Sequence, residues 1–292
     1  MFRSFFIALF AVSLSLGHAI CALADNDIKA QDIKIYTPVY HPKFSDFEPP
    51  LGLYTYKVAW EGIPAATVNV EVEKLNDVYK VITTAKTYSG IDIFYRLRYK
   101  AEGLISATDL TPIQTEIDQQ ENSTHKFTRI SFESDGGIRA TRYRQGEQTE
   151  DLSFKKNNFT LDPVSASFLA RGVEWKVGDS KQFDTFNGKS RYLITLTATS
   201  KTTLKVNGQE REAWEITPKI ENLTSPDSNK KFRSAVIFLS ADKSKEILKI
   251  VSKVFVGSVS TTLIDFAPLQ APITDLDMKF VSAKRFRQTD TF

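Results

Sequence analysis

Tyr54-Thr55-Tyr56-Lys57-Val58-Ala59-Trp60 is the stretch on which the fold turns. Its large apolar residues, Tyr54, Tyr56, Val58 and Trp60, fall on every second position. Ala66, Val68, Val70 and Val72 repeat the pattern shortly afterwards, with Thr67, Asn69, Glu71 and Glu73 between them. A strand sends successive side chains to opposite faces, so this alternation marks half-buried strands. A surface helix would instead space its apolar residues three and four apart.

The same reading extends outward along the chain. Tyr192, Ile194 and Leu196 alternate with Arg191, Thr195 and Thr197, and Leu248, Ile250, Val254 and Val256 share one parity. Asn207-Gly208 separates two such runs and suits a type I′ turn, in which both central residues need positive φ. Asn76-Asp77, Asp135-Gly136-Gly137, Gln145-Gly146 and Asn187-Gly188 punctuate other runs. Strand candidates recur about every ten residues, which favours antiparallel hairpins over βαβ units. About a dozen strands are expected between Leu51 and Phe266 on this spacing.

Two segments break the alternation. In Asp162-Pro163-Val164-Ser165-Ala166-Ser167-Phe168-Leu169-Ala170-Arg171-Gly172 the spacing predicts a short helix. Asp162 is placed to accept from the free N–H groups of the first turn, Pro163 suits the first helical position, and Gly172 is expected to end the helix in a left-handed conformation. Val164, Phe168 and Leu169 form its apolar stripe. Ser89–Arg96 is a weaker candidate for one helical turn. The expected fold is therefore all-β: a strongly curved antiparallel sheet, an open barrel or β-spiral, closing around one short helix with few free edges.

The ends differ from the middle. Met1–Ser4 carry one positive charge, Phe5–Leu16 is apolar, and Ala22-Leu23-Ala24 precedes the charged Asp25. These are the parts of a secretory signal peptide, and the apolar run is shorter than the roughly 20 residues a membrane-spanning helix needs. Cleavage is expected after Ala24, which removes Cys21, and the mature protein is expected in the periplasm. Ile20 is large for the position before a lipidated cysteine. Residues 25–50 read as a Pro-rich arm, 51–267 as a single β domain, and 268–292 as a tail with Lys279, Lys284, Arg285 and Arg287.

Composition excludes several chemistries. With 38 basic and 35 acidic residues the chain is near neutral, unlike a protein built to wrap nucleic acid. Beyond the leader only His41 and His125 remain, too few to favour a Ser-His-Asp triad or a zinc site. No cofactor is expected: there is no EF-hand loop, and Gly136-Gly137 reads as a hairpin tip rather than a phosphate loop. Glu71, Glu73, Glu116, Asp118 and Glu215 could supply the paired carboxylates of a hydrolase, although on strands such residues usually form the solvated face. An outer-membrane β-barrel is the other alternative, suggested by the terminal Phe292; Gln288 and Asp290 interrupt the apolar alternation its last strand would need. Tyr95-Arg96-Leu97-Arg98-Tyr99-Lys100 and Arg139-Ala140-Thr141-Arg142-Tyr143-Arg144 set cations beside rings, suited either to anionic groups or to pairing with glutamates on neighbouring strands.

Three motifs carry a family resemblance. Residues 54–65 resemble the opening strand and turn of the bacterial domain of unknown function 3108 family. Asp162–Arg171 is similar to that family's central Asp-x-x-Ser…Arg helix, and Trp175-Lys176-Val177-Gly178-Asp179 is similar to the entry to its second half. The resemblance implies an exported β protein and brings no catalytic residues. The functional expectation is a non-catalytic periplasmic protein that either holds an apolar or amphipathic envelope component, such as a lipid, on its concave face or supports envelope integrity. Trp60, Phe94, Tyr95, Arg98, Phe168 and Leu169 are the candidate ligand-facing residues, with no metal site. The oligomeric state is left open.

Overall fold

The computed structural model describes residues 30–35, 47–156, 158–225, 234–254 and 256–269. The leader, most of the arm and nearly all of the tail lie outside the described residues.

The first half of the chain is a meander of eight strands: β1 (Gly52–Trp60), β2 (Ile63–Leu75), β3 (Val78–Thr87), β4 (Leu97–Ser106), β5 (Pro112–Glu121), β6 (Thr124–Phe132), β7 (Gly137–Arg144) and β8 (Glu150–Lys155). The second half holds β9 (Thr160–Leu161), β10 (Ser180–Phe186), β11 (Arg191–Val206), β12 (Gln209–Asn222), β13 (Ser234–Ser240), β14 (Ile247–Lys253) and β15 (Ser258–Pro268). Between β3 and β4 lies α1 (Ser89–Asp92), and between β9 and β10 lies α2 (Pro163–Arg171). The alternation of β1 holds in three dimensions: Tyr54, Tyr56 and Val58 are buried while Thr55 is half-buried and Leu53 and Lys57 are exposed. Asn207 and Gly208 both take positive φ, +52° and +80°, at the tip of the β11–β12 hairpin.

All fifteen described strands form one sheet, in the order β8-β7-β6-β5-β4-β3-β2-β1-β15-β14-β13-β12-β11-β10-β9. Strands adjacent in sequence are adjacent in space, with one exception: β8 and β9 stand at opposite edges. Flat, the fourteen spacings of about 4.8 Å between them would separate these edges by about 67 Å. The chain joins them through residues 156–159 alone, and five peptide steps reach at most about 18 Å. The sheet must therefore curl until its edges meet, as the predicted curved sheet requires. The first and last strands, β1 and β15, pair in its middle from Gly52↔Pro268 to Trp60↔Val259.

Two readings of the strands are sharpened. The described residues hold fifteen against the roughly dozen expected, and β9, two residues long, shows no alternation to read. The β9–β10 pair is parallel, since α2 supplies the crossover that parallel neighbours need; the other pairs are antiparallel.

Side chains close the seam where the ladder does not. Phe154 of β8 meets Phe186 of β10 edge to face at 5.1 Å. They belong to a small second core with Ile130, Ile138, Ala140 and Ala30. Ala30 comes from a 3-10 turn of the arm, Ala30–Asp32, that covers β8. Beside it, the buried Arg191 of β11 pairs with the buried Asp184 of β10. Thr160 of β9 donates to Asp184 at 2.7 Å, and Arg191 also donates to the Ile33 carbonyl of the arm at 3.0 Å.

The main core lies between the concave face and α2. Asp162 caps this helix, accepting from the amides of Val164 at 2.8 Å and Ser165 at 3.2 Å and from the Ser165 hydroxyl. Pro163, Val164, Ser165, Ala166, Phe168, Leu169 and Arg171 are all buried; a helix buried almost all round belongs inside a fold. Gly103 of β4 lets it approach, because a Cβ there would sit 2.8 Å from Val164 Cγ1. The left-handed helix end expected at Gly172 is not found. Its φ is −72°, and its N–H bonds to the Leu169 carbonyl in a right-handed turn. What glycine supplies there is room, since a Cβ would lie 3.2 Å from the Cβ of Phe47.

Candidate functional site

Between α2 and the concave face is a cavity of about 160 Å³. Both halves of the sheet build it. Tyr54 and Tyr56 of β1, Val68, Val70 and Val72 of β2, and Val81 and Thr83 of β3 line one side. Ile194 and Leu196 of β11, Ile216 of β12, Ile237 and Leu239 of β13, and Ile250 of β14 line the other. The helix contributes Val164, Ala166, Phe168 and Arg171. The register explains the first wall: Tyr54 pairs with Val70, and Val70 with Thr83, so the three stand in one cross-strand row.

Few polar groups enter this space, and two stand out. Thr83 is 1% exposed, and its hydroxyl has no hydrogen-bond partner among the described residues. A buried polar group left unsatisfied costs about 1–3 kcal/mol. Arg171 is 8% exposed. Its Nε donates to the Lys245 carbonyl at 2.7 Å, and Nη2 reaches the Ser244 carbonyl at 3.4 Å and the Tyr54 hydroxyl at 3.5 Å. The guanidinium also lies over the rings of Phe47 and Tyr54 at 5.5 and 5.4 Å. Burial pushes the Tyr54 phenol up, against the opposing pull of Arg171, and burial likewise raises Tyr56. Both phenols are thus neutral, while a guanidinium keeps its charge.

Of the six predicted ligand-facing residues, Phe168 lines the cavity, packed against Phe47 and Tyr79 with ring centroids 5.7 and 5.2 Å apart. Leu169, 1% exposed, turns into the core behind it. Trp60 lies at the end of β1, where its indole N–H donates to the Val256 carbonyl at 3.0 Å. Phe94 is 65% exposed, outside the concave face where it was expected, because α1 carries its loop out of the sheet. Tyr95 is a core residue whose phenol is raised by burial and then by Glu121. Arg98 faces Asp92, with Nη1 to Oδ1 at 3.1 Å. That hydrogen bond holds the Asp92 carboxyl down at about 2, against the opposing effect of burial and with further help from Thr87.

The other arginine-aromatic stretch is answered in the same way, by Arg142–Glu150 and Arg144–Glu147. Among the carboxylates weighed for hydrolysis, Glu116 pairs with Arg129, Asp118 with His125, and Glu215 accepts from Ser200. None of the five lines the cavity. Among the described residues no three His, Cys, Asp or Glu side chains are grouped to hold a metal ion. No helix among them is long and apolar enough to cross a membrane.

Sequence reasoning missed Tyr54, Tyr56, Thr83 and Arg171 as cavity residues. The signals were present. Tyr54 and Tyr56 share the inward parity of β1. Arg171 follows Val164 by seven residues and Phe168 by three, which puts it on the apolar stripe of α2.

Fold and site together define a class: an all-β protein whose curled, barrel-like sheet wraps a helix and an apolar cavity. The chain belongs to the family described as protein of unknown function (DUF3108), whose model matches residues 55–264. A β-barrel-like protein of the domain of unknown function DUF1849 from Brucella abortus has a similar fold. Its TM-score is 0.51 at 8% identity over 75% of this chain and 97% of that one. Looser likenesses join a protein described as exported, with a YmcC-like fold, from Bacteroides fragilis (TM-score 0.33, 8% identity, 77% of this chain and 99% of that one). A protein described as a lipoprotein from Parabacteroides distasonis is similarly distant (TM-score 0.30, 10% identity, 77% and 99%). No protein of curated function matches the sequence.

Proposed function

We propose that this is a non-catalytic periplasmic protein that holds an apolar or amphipathic component of the cell envelope between α2 and the concave face. The observation that carries the reading is the cavity itself, about 160 Å³ walled by valine, leucine, isoleucine and phenylalanine. Engineered apolar cavities of about 150 Å³ stay dry and bind benzene, so the space suits a ring or a short stretch of alkyl chain. The leader-like start, Met1–Ala24, supports delivery outside the cytoplasm.

The test is direct binding. Decanol should bind by calorimetry and raise the melting temperature. Val70→Phe, which fills the cavity from β2, should abolish binding while leaving the far-ultraviolet circular dichroism unchanged. Retention of decanol binding by that variant, or absence of binding by the natural protein, refutes the reading. Osmotic shock should release the mature chain without detergent; retention in the membrane or in the cytosol would overturn the location.

A further inference from the structure

We infer that the ligand of this cavity is an anionic amphiphile, with its head group held at Arg171 and its tail among the valines and isoleucines of the concave face. The inference rests on the ligand-binding reading above and deepens it.

Arg171 differs from the other buried or partly buried arginines that hold this fold together. Arg191 has Asp184, and Arg211 has both Asp242 and Glu246 at 2.7 Å. Arg171 is buried too, at 8% exposed, yet among the described residues no carboxylate lies within 4.0 Å of it. Its partners are two carbonyl oxygens, one phenol and two ring faces. Those groups orient a guanidinium without neutralising it, and buried charges in proteins are as a rule paired. The nearby acidic groups are committed elsewhere: Glu246 to Arg211 at 2.7 Å and Glu174 to Lys245 at 3.0 Å.

The position of this cation on α2 supplies the rest. Arg171 lies on the helix stripe of Val164 and Phe168, and all three line the cavity. A guanidinium that lines an apolar space, with Nη1 left without a partner among the described residues, matches a carboxylate or phosphate at the end of an alkyl tail. Thr83, whose hydroxyl is unpartnered, stands two strands from Tyr54 along the same row. That puts its backbone about 10 Å from that of Tyr54, whose phenol touches Arg171. It offers a second polar contact part-way along the tail.

Titration with decanoate, decanol and decyltrimethylammonium, matched in tail and differing in head, tests this. The natural protein should bind decanoate most tightly, the cation most weakly, and decanoate alone should weaken with added salt. Arg171→Met should loosen decanoate by about tenfold or more, the worth of a charge-assisted hydrogen bond, and leave decanol within about twofold. Arg171→Lys, which keeps the charge without the fork, should fall between. Val70→Phe should lose decanoate together with decanol, since both occupy the cavity. Equal affinity for decanoate and decanol in the natural protein overturns the assignment, as does unchanged decanoate selectivity in the Arg171 variants. Decanoate binding that survives Val70→Phe also overturns it, because the head would then be held on the surface. If neither decanoate nor decanol binds at all, the ligand-binding reading falls instead.

Discussion

Asp162 does its work at a single helix end. It is fully buried, its carboxyl raised by burial and drawn down again by hydrogen bonds from Ser165 and the helix amides. Replacement by alanine leaves those amides unmet and should destabilise the protein by about 1–2 kcal/mol in urea unfolding, the usual cost of a lost N-cap. Asp162→Asn should cost much less, because asparagine caps about as well and carries no charge to bury. Asp92 makes a different residue-scale statement. Its carboxyl is held by Arg98 at about 2, below the roughly 3.9 of an unfolded aspartate. A depressed carboxyl contributes stability that is present above the unfolded value and lost as pH falls through the folded one. Thermal melts between pH 4 and pH 2 should therefore show a loss that Asp92→Asn, already lacking the charge, does not share. Both residues were legible in part. The Asp-Pro start of α2 is a local signal, whereas the partner of Arg98 is set by the turn of α1 beside β4, which sequence spacing does not reveal.

At the scale of the element, α2 is held by a fit rather than by its own propensity. Nine residues are too few for a stable isolated helix, so burial sustains it. Gly103 is where the sheet makes room, and Gly103→Val should force the helix off β4. The expected result is a fall in stability of about 1–3 kcal/mol, the usual cost of overpacking, with looser ligand binding. A variant as stable as the natural protein would show that the helix does not need this approach. The strands were read well because parity is a local property: Tyr54, Tyr56 and Val58 of β1 and Ala66, Val68 and Val72 of β2 are buried as the alternation predicts, with Trp60 and Val70 half-buried. The arginines of β4 and β7 resolved into local pairs: Arg142 with Glu150 across to β8, Arg98 with Asp92 of α1, and Arg144 with Glu147 in the turn after β7. The outward faces carry further pairs, such as Lys80–Glu102 and Lys201–Glu212.

At the scale of the whole molecule, the seam between β8 and β9 decides whether the sheet stays curled. Arg191 and Asp184 tie β10 and β11 to β9 and to the arm. Removing one member strands a buried charge, so Arg191→Met should cost about 3–5 kcal/mol. Asp184→Leu added to it should recover much of the loss, because the pair can be replaced by apolar groups of similar size. Hydrogen exchange should report the single variant's opening first in β7, β8 and the arm turn. Uniform exchange across the sheet would mean that the seam is no separate unit of stability.

By itself the sequence determined the periodic structure: inward parity, hairpin tips, a capped helix between two runs of strands, and so an all-β fold curved about a helix. Those follow from interactions within a few residues, which composition and spacing record. Tertiary structure alone decided the closure of the sheet, the parallel β9, the pairing of Arg98, and the meeting of Arg171 with Tyr54 and Thr83 at one cavity. Each joins groups remote along the chain, 117 residues apart for Arg171 and Tyr54. Such contacts depend on curl and register summed over many strands, which no local pattern carries.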